Sequence, residues 1–224
     1  MTRRSDPFRV RMRGPLACFT RPEMKVERVS YEVMTPSAAR GAIQAVLWKP
    51  QICWHIRRIE ILAPIRWTSF RRNEVQAVMS ARAGEIFIED ERTQRNTVAL
   101  RDVDYVVEAW FELTRHAGDG DTVAKYVEMF RRRLSKGQHF YAPYLGCREF
   151  VAEVSLATAA PPPLNDADRP LGIMFYDFDW PDFDGGDAPA GTPIRPLFFE
   201  ARLAHGVVHV PLRSEVLAQA RAAP

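Results

Sequence analysis

The chain has 224 residues, 46% of them hydrophobic, and a formal net charge of +3. That is enough apolar side chain for one large or two small domains, and it excludes wholesale disorder. No apolar stretch reaches the ~20 residues of a membrane helix, and the Met-Thr-Arg-Arg start lacks a secretory apolar core, so a cytoplasmic protein with no membrane partner is expected.

The net charge hides an asymmetry. Residues 1–72 hold fifteen basic residues against five acidic ones, and Arg131, Arg132, Arg133 and Lys136 form a second basic cluster. Between Asp166 and Asp187 the bias reverses, with seven aspartates against one arginine. Arginine dominates the basic regions. Its planar guanidinium makes bidentate phosphate bonds and stacks on bases, so the pattern points to nucleic acid. The acidic run lacks calcium-loop spacing and reads as an exposed loop that suits a basic partner subunit.

Taken in chain order, Phe8, Val10 and Met12 alternate with Arg9, Arg11 and Arg13, which predicts a strand with one buried face and one basic face. Residues 14–34 read as an irregular loop. Thr35-Pro36 opens a helix, with Thr as N-cap and Pro in the first turn, and the helix ends before Pro50. Ile52, Trp54 and Ile56 alternate, and Ile59 and Ile61 continue out of phase, which predicts a strand with a bulge. Residues 64–98 read as a long insertion, part hairpin and part mobile, with a short strand at Ile86–Ile88. A third main strand starts at Val103.

Val123, Tyr126, Val127, Phe130 and Leu134 predict a second helix, capped by Asp121 and closed by Gly137 in a left-handed conformation. Lys125, Arg132 and Lys136 share another of its faces. Phe150, Ala152, Val154 and Leu156 mark a fourth strand. The order is β-α-β, insertion, β-α-β, so the expected class is α+β: a ferredoxin-like, RRM-like sheet with two helices on one face. This domain spans residues 1–158. A proline-rich linker, Ala159–Pro163, leads to a small antiparallel sheet at 164–224, with strands at Ile173–Phe178, Leu197–Leu203 and Val207–Leu212. His205-Gly206 is the hairpin turn between the last two, and Ala218–Pro224 a frayed tail.

Cys18, Cys53 and Cys147 are too few and too scattered for a disulfide framework or a zinc site. His205 and His209 have no clustered ligands beside them, so no metal and no cofactor is expected.

Specific segments carry a resemblance. Phe19-Thr20-Arg21-Pro22-Glu23-Met24-Lys25-Val26-Glu27-Arg28-Val29-Ser30-Tyr31, then Met34-Thr35-Pro36-Ser37-Ala38-Ala39-Arg40-Gly41, resemble the Cas-five family of type I-C CRISPR systems (the Dvulg subtype). Trp48-Lys49-Pro50, Arg71-Arg72-Asn73-Glu74 and Gly146-Cys147-Arg148-Glu149-Phe150 do so too. Together they cover most of residues 8–156 in consistent order. The resemblance implies the RAMP superfamily and a protein that binds the repeat hairpin and 5′ handle of CRISPR RNA. It implies cleavage of the precursor transcript, with the product kept in the Cascade complex beside the backbone and large subunits.

Cleavage of this kind needs no metal: the RNA's own 2′-hydroxyl attacks, given a base, an acid and a cation near the phosphorus. The family places these roles just before Trp-Lys-Pro and on a Gly-Lys-His run opening the second helix. Here the matching positions are Leu47 and Ala124-Lys125-Tyr126. Lysine is retained, histidine has become Tyr126, and the first position is aliphatic. Lys125 and Tyr126 are therefore the catalytic candidates, with His139 (and Tyr141) in the following loop as substitutes. Phe19, Arg21, Lys25, Arg28, Arg40, Arg71, Arg72, Arg132, Lys136 and Arg148 are the candidates for RNA contact. Two alternatives stand beside the endoribonuclease reading: a structural subunit that binds the handle without cutting, and a general nucleic-acid binder that also grips duplex DNA through the same basic surface.

Overall fold

The computed structural model of the chain describes residues 3–77, 87–164, 168–183, 185 and 191–222. The first strand, β1 (Phe8–Ala17), buries Phe8, Val10 and Met12 and turns its arginines outward, as the alternation predicts. The chain between 14 and 34 is more ordered than expected. β1 runs on to Ala17, Pro22–Met24 form a short 3-10 turn, and β2 (Arg28–Val29) pairs with a later strand.

Helix α1 (Pro36–Val46) starts where the sequence places it, because the Thr35 side chain accepts from the backbone N–H of Ala38. Strand β3 (Ile52–Ile61) carries the predicted bulge, with a register shift between Ile56 and Arg58. The expected insertion is mostly a two-stranded arm. β4 (Trp67–Val75) pairs along its whole length with the first half of β5, which begins at Arg92 and runs to Leu113. Where a strand was expected around Phe87, the chain instead makes a short helix, α2 (Ile88–Glu91); Ile86 lies outside the described residues. The second half of β5, from Tyr105 to Phe111, is buried on both faces.

Helix α3 (Val123–Ser135) is capped by Thr122, whose hydroxyl accepts from the Lys125 N–H, rather than by Asp121. Gly137 takes φ 61°, which lets the Gln138 N–H reach the Arg133 carbonyl at 2.8 Å and close the helix. Strand β6 (Glu153–Leu156) follows. The remaining elements are β7 (Arg169–Phe178), β8 (Pro196–Ala204), β9 (Val207–His209) and α4 (Arg213–Ala222).

Among the described residues all the strands belong to one sheet, ordered β6-β1-β5-β3-β9-β8-β7, with every pairing on that path antiparallel. The C-terminal strands therefore do not stand apart as a sheet of their own. The short β9 pairs with β3 at Arg58–Glu60 and joins the two groups. The His205-Gly206 turn forms as expected, with positive φ at both residues. The expected frayed tail is helical through Ala222, since Val216 of α4 is fully buried against the sheet. On the face covered by α3, Phe8, Trp54, Phe111 and Phe130 pack ring to ring at 4.7–6.1 Å.

Candidate functional site

The first turn of α3 carries Lys125 and Tyr126. Apolar spacing puts Tyr126 on the buried side, 2% exposed and edge-on to Phe111. Its hydroxyl donates to Asp121 Oδ1 at 2.5 Å. Lys125 is exposed, and its Nζ donates to the same carboxylate oxygen at 2.9 Å and lies 5.4 Å from the Tyr126 ring centre. The hydrogen bonds from Lys125, Tyr126 and the Gly118 N–H hold the Asp121 carboxyl down at about 2. Burial, reinforced by Asp121, pushes the Tyr126 phenol up to about 12. A phenol so placed is a proton donor to Asp121 and a very weak base near neutrality.

Leu47 is fully buried, and its carbonyl accepts from the Trp54 indole at 2.9 Å. His139 is exposed in the loop after α3, so the body of the helix separates it from Lys125; Tyr126 to Ser135 alone is roughly 14 Å of helix axis. The structure brings Lys125 and Tyr126 together on Asp121 and leaves His139 at the other end.

The basic candidates divide into two groups. Arg28 pairs with Glu149 at 2.8 Å and Glu74 at 3.7 Å, and Arg72 pairs with the same two carboxylates. Burial alone would raise the Glu149 carboxyl, but its own N–H, Arg28 and Arg72 together bring it below its ordinary value. This network ties β2 and β4 to the Gly146–Glu149 loop. Arg40 is held by the buried Asp177 at 2.6 Å, and Arg21 lies over the Tyr31 ring at 4.5 Å. Asp177 and Asp179 (which pairs with Arg213) are therefore tied within the chain, while Asp182 is exposed; Asp166, Asp184 and Asp187 lie outside the described residues.

In contrast, Lys25, Arg71, Arg132, Lys136 and Arg148 are exposed, and among the described residues none of them makes an ion pair. Phe19 corrects the expectation of a stacking residue. It is 2% exposed and packs edge-on against Tyr105, because its neighbour Cys18 is tied to Leu145 and its own N–H to Ser30, which turns the ring into the core.

Two features were missed by sequence reasoning. Phe140 is 87% exposed beside the half-open Tyr141, which in turn sits 6.3 Å from Tyr144. The signal was the run of aromatics directly after Lys136. The second is a cleft of about 340 Å³ lined by the Trp48-Lys49-Pro50 loop, by Thr114 and His116, by Arg40 and Gln44 of α1, and by the chain at Trp180–Phe183. The tripeptide was visible as a motif, but nothing in the sequence placed His116 in the same cleft. Among the described residues no group of three His, Cys, Asp or Glu side chains could hold a metal ion, and no helix is long and apolar enough to cross a membrane.

Comparison with known proteins adds a decisive observation. The family model described as CRISPR-associated protein (Cas_Cas5) matches residues 8–211. The chain belongs to the Cas5d family. A relative from Mannheimia succiniciproducens, named CRISPR pre-crRNA endoribonuclease Cas5d, is 44% identical over 92% of this chain and 96% of its own. One of the same name from Thermus thermophilus is 42% identical over 91% of each chain. Two solved structures, one a Streptococcus mutans protein and one titled only as a CRISPR-associated protein, each cover 95% of this chain with a TM-score of 0.69. At 24% identity these show a shared fold and no more.

Proposed function

We propose that this Cas5d-family chain binds the repeat hairpin of CRISPR precursor RNA, cuts it without a metal, and stays on the 5′ handle as a subunit of Cascade. The kinship with two relatives named as pre-crRNA endoribonucleases supports the activity. The observation that carries it to this chain is Lys125. Its ammonium stands exposed on the first turn of α3, at the family position, held by one carboxylate. There it neutralises the charge that builds on the phosphorus during 2′-hydroxyl attack.

The sheet order β6-β1-β5-β3, with α1 and α3 as the crossovers, supports a ferredoxin-like core within residues 1–158. Exposed Lys25, Arg71, Arg132, Lys136 and Arg148 supply phosphate contacts, while Arg21, Arg28, Arg40 and Arg72 shape the surface through their partners. The backbone and large subunits of Cascade are the protein partners, in the cytoplasm.

A second reading, a subunit that holds the handle without cutting, is favoured by buried Leu47 and by the Tyr126 hydroxyl committed to Asp121. One assay separates the two. Purified protein is incubated with its repeat RNA in EDTA. Cleavage at the base of the hairpin, leaving a 2′,3′-cyclic phosphate, is expected, and Lys125→Ala slows it strongly while sparing binding. Tight binding with no cut supports the second reading. Displacement of the RNA by an equal concentration of duplex DNA would mark the surface as a general nucleic-acid binder.

A further inference from the structure

We propose that the cleft beside Trp48 seats the nucleotide whose 2′-hydroxyl attacks, and that His116 is the base that takes its proton. The proposal rests on the cleavage reading above and deepens it.

Two walls of the cleft, the one carrying Trp48 and the one carrying His116, are fixed to each other. Ile52 pairs with Leu113 at the ends of β3 and β5, the Thr114 N–H reaches the Gln51 carbonyl at 2.9 Å, and the Thr114 hydroxyl donates to the Pro50 carbonyl at 2.6 Å. The space between them, about 340 Å³, lies in the range of small-ligand sites, which run from about 300 Å³ upward. Its chemistry suits a nucleotide. Trp48 is 60% exposed, an uncovered indole face of the kind on which bases stack. Lys49 lies beside it, and Asp182 and Gln44 offer polar groups on the same lining.

His116 lines the same cleft as Trp48. The ring is exposed yet positioned. Its backbone N–H donates to the Thr114 hydroxyl at 3.2 Å, and Gly185 packs against it so closely that a Cβ there would lie 2.8 Å from Cδ2. The same loop continues to Asp121, to which the Gly118 N–H donates at 3.1 Å, and Asp121 holds Lys125. Imidazole and ammonium thus sit at the two ends of one short loop.

Neither residue at the family's remaining catalytic positions accepts a proton. Leu47 has no titratable group, and the Tyr126 hydroxyl is a donor locked on Asp121. An imidazole accepts a proton at neutral pH where neither of these does. In the step, the 2′-oxygen–phosphorus bond forms and the phosphorus–5′-oxygen bond breaks. The 2′-hydroxyl proton passes to the imidazole, the 5′-oxygen takes a proton from water, and His116 returns its proton to solvent. No redox change occurs.

The test is single-turnover cleavage of repeat RNA by the wild type and His116→Ala, with and without added imidazole. His116→Ala is expected to cut about 100-fold more slowly, to regain part of the rate with imidazole, and to bind RNA as before. Alongside it, an RNA abasic at the attacking nucleotide binds the wild type more weakly than intact RNA, and Trp48→Ala removes that difference. A His116→Ala variant that cuts at the wild-type rate, or whose loss imidazole does not relieve, overturns the inference and leaves the cleavage reading standing. A preference for the intact base that survives Trp48→Ala also overturns it. A wild-type protein that does not cut at all overturns both.

Discussion

Tyr126 gives its phenolic hydrogen to Asp121 at 2.5 Å, on the same carboxylate oxygen that receives the Lys125 ammonium. The tyrosine therefore sets the carboxylate that sets the lysine. Tyr126→Phe keeps the buried ring against Phe111 and removes only the hydroxyl. It is expected to leave cleavage within a small factor of wild type and to lower the unfolding temperature modestly, since one hydrogen bond to a charged group is lost. Thermal unfolding and single-turnover rates check this; a cleavage loss as deep as that of Lys125→Ala would make the phenol a direct participant.

Trp54 reports on the wall that carries Trp48. Its ring packs on Phe8, Phe111 and Phe130, and its indole N–H holds the Leu47 carbonyl just as α1 ends. Trp54→Ala is expected to cost about 3–5 kcal/mol. Trp54→Phe keeps much of the packing but frees that carbonyl. Its expected signature is a modest fall in unfolding temperature with faster hydrogen exchange confined to the Leu47–Gln51 loop, and a uniform change in exchange would refute the link.

Much of this arrangement is legible in the chain itself, and the reason differs from element to element. Thr35-Pro36 and Gly137 mark helix ends because capping is local chemistry, readable from one or two residues. The β3 bulge shows because a phase change between Ile56 and Ile59 leaves a trace in the alternation. Long-range facts leave no such trace. Glu149 lies far along the chain from Arg28 and Arg72, so nothing in the basic N-terminal run reveals which of its cations are already paired. The same holds for Arg9 with Glu60, Arg11 with Asp104 and Arg57 with Glu108. β9 is only three residues long, and its pairing with β3 joins two strand groups that look separate in sequence. Lys125 was found because the family motif points to it; His116 needed the fold.

His55 gives a pH dependence whose sign can be worked out. It stacks on Trp110 at 4.2 Å, the Arg4 guanidinium lies 3.7 Å from the centre of the same indole, and among the described residues its Nε2 has no hydrogen-bond partner. Burial first, then Arg4, Arg213 and Arg40, pull the imidazole down to about 4 from 6.5. Above 6.5 both folded and unfolded chains hold it neutral. As pH falls from 6.5 towards 4 the unfolded chain takes up a proton that the folded one refuses, so stability drops, by at most about 3 kcal/mol. His55→Phe keeps a ring on Trp110 and cannot titrate. Its unfolding temperature should fall less than that of the wild type over this window, and parallel falls would show that other groups carry the acid sensitivity.

The last contrast separates the surface from the core. Arg132 and Lys136 sit at the exposed C-terminal end of α3, and among the described residues neither makes an ion pair. Phe19, from the motif that first suggested base stacking, is buried on Tyr105. If the two cations neutralise phosphates, Arg132→Ala with Lys136→Ala reduces the slope of log affinity for repeat RNA against log salt by about 0.7 per lost contact, with little change in unfolding temperature. Phe19→Ala should do the reverse: lose about 3–5 kcal/mol of stability and leave the salt slope of the folded fraction unchanged. Affinity measured from low to moderate salt, on samples kept well below the unfolding temperature of each variant, distinguishes the two. A salt slope unmoved by the double substitution would shift the RNA path away from this end of α3, towards Lys25, Arg71 and Arg148.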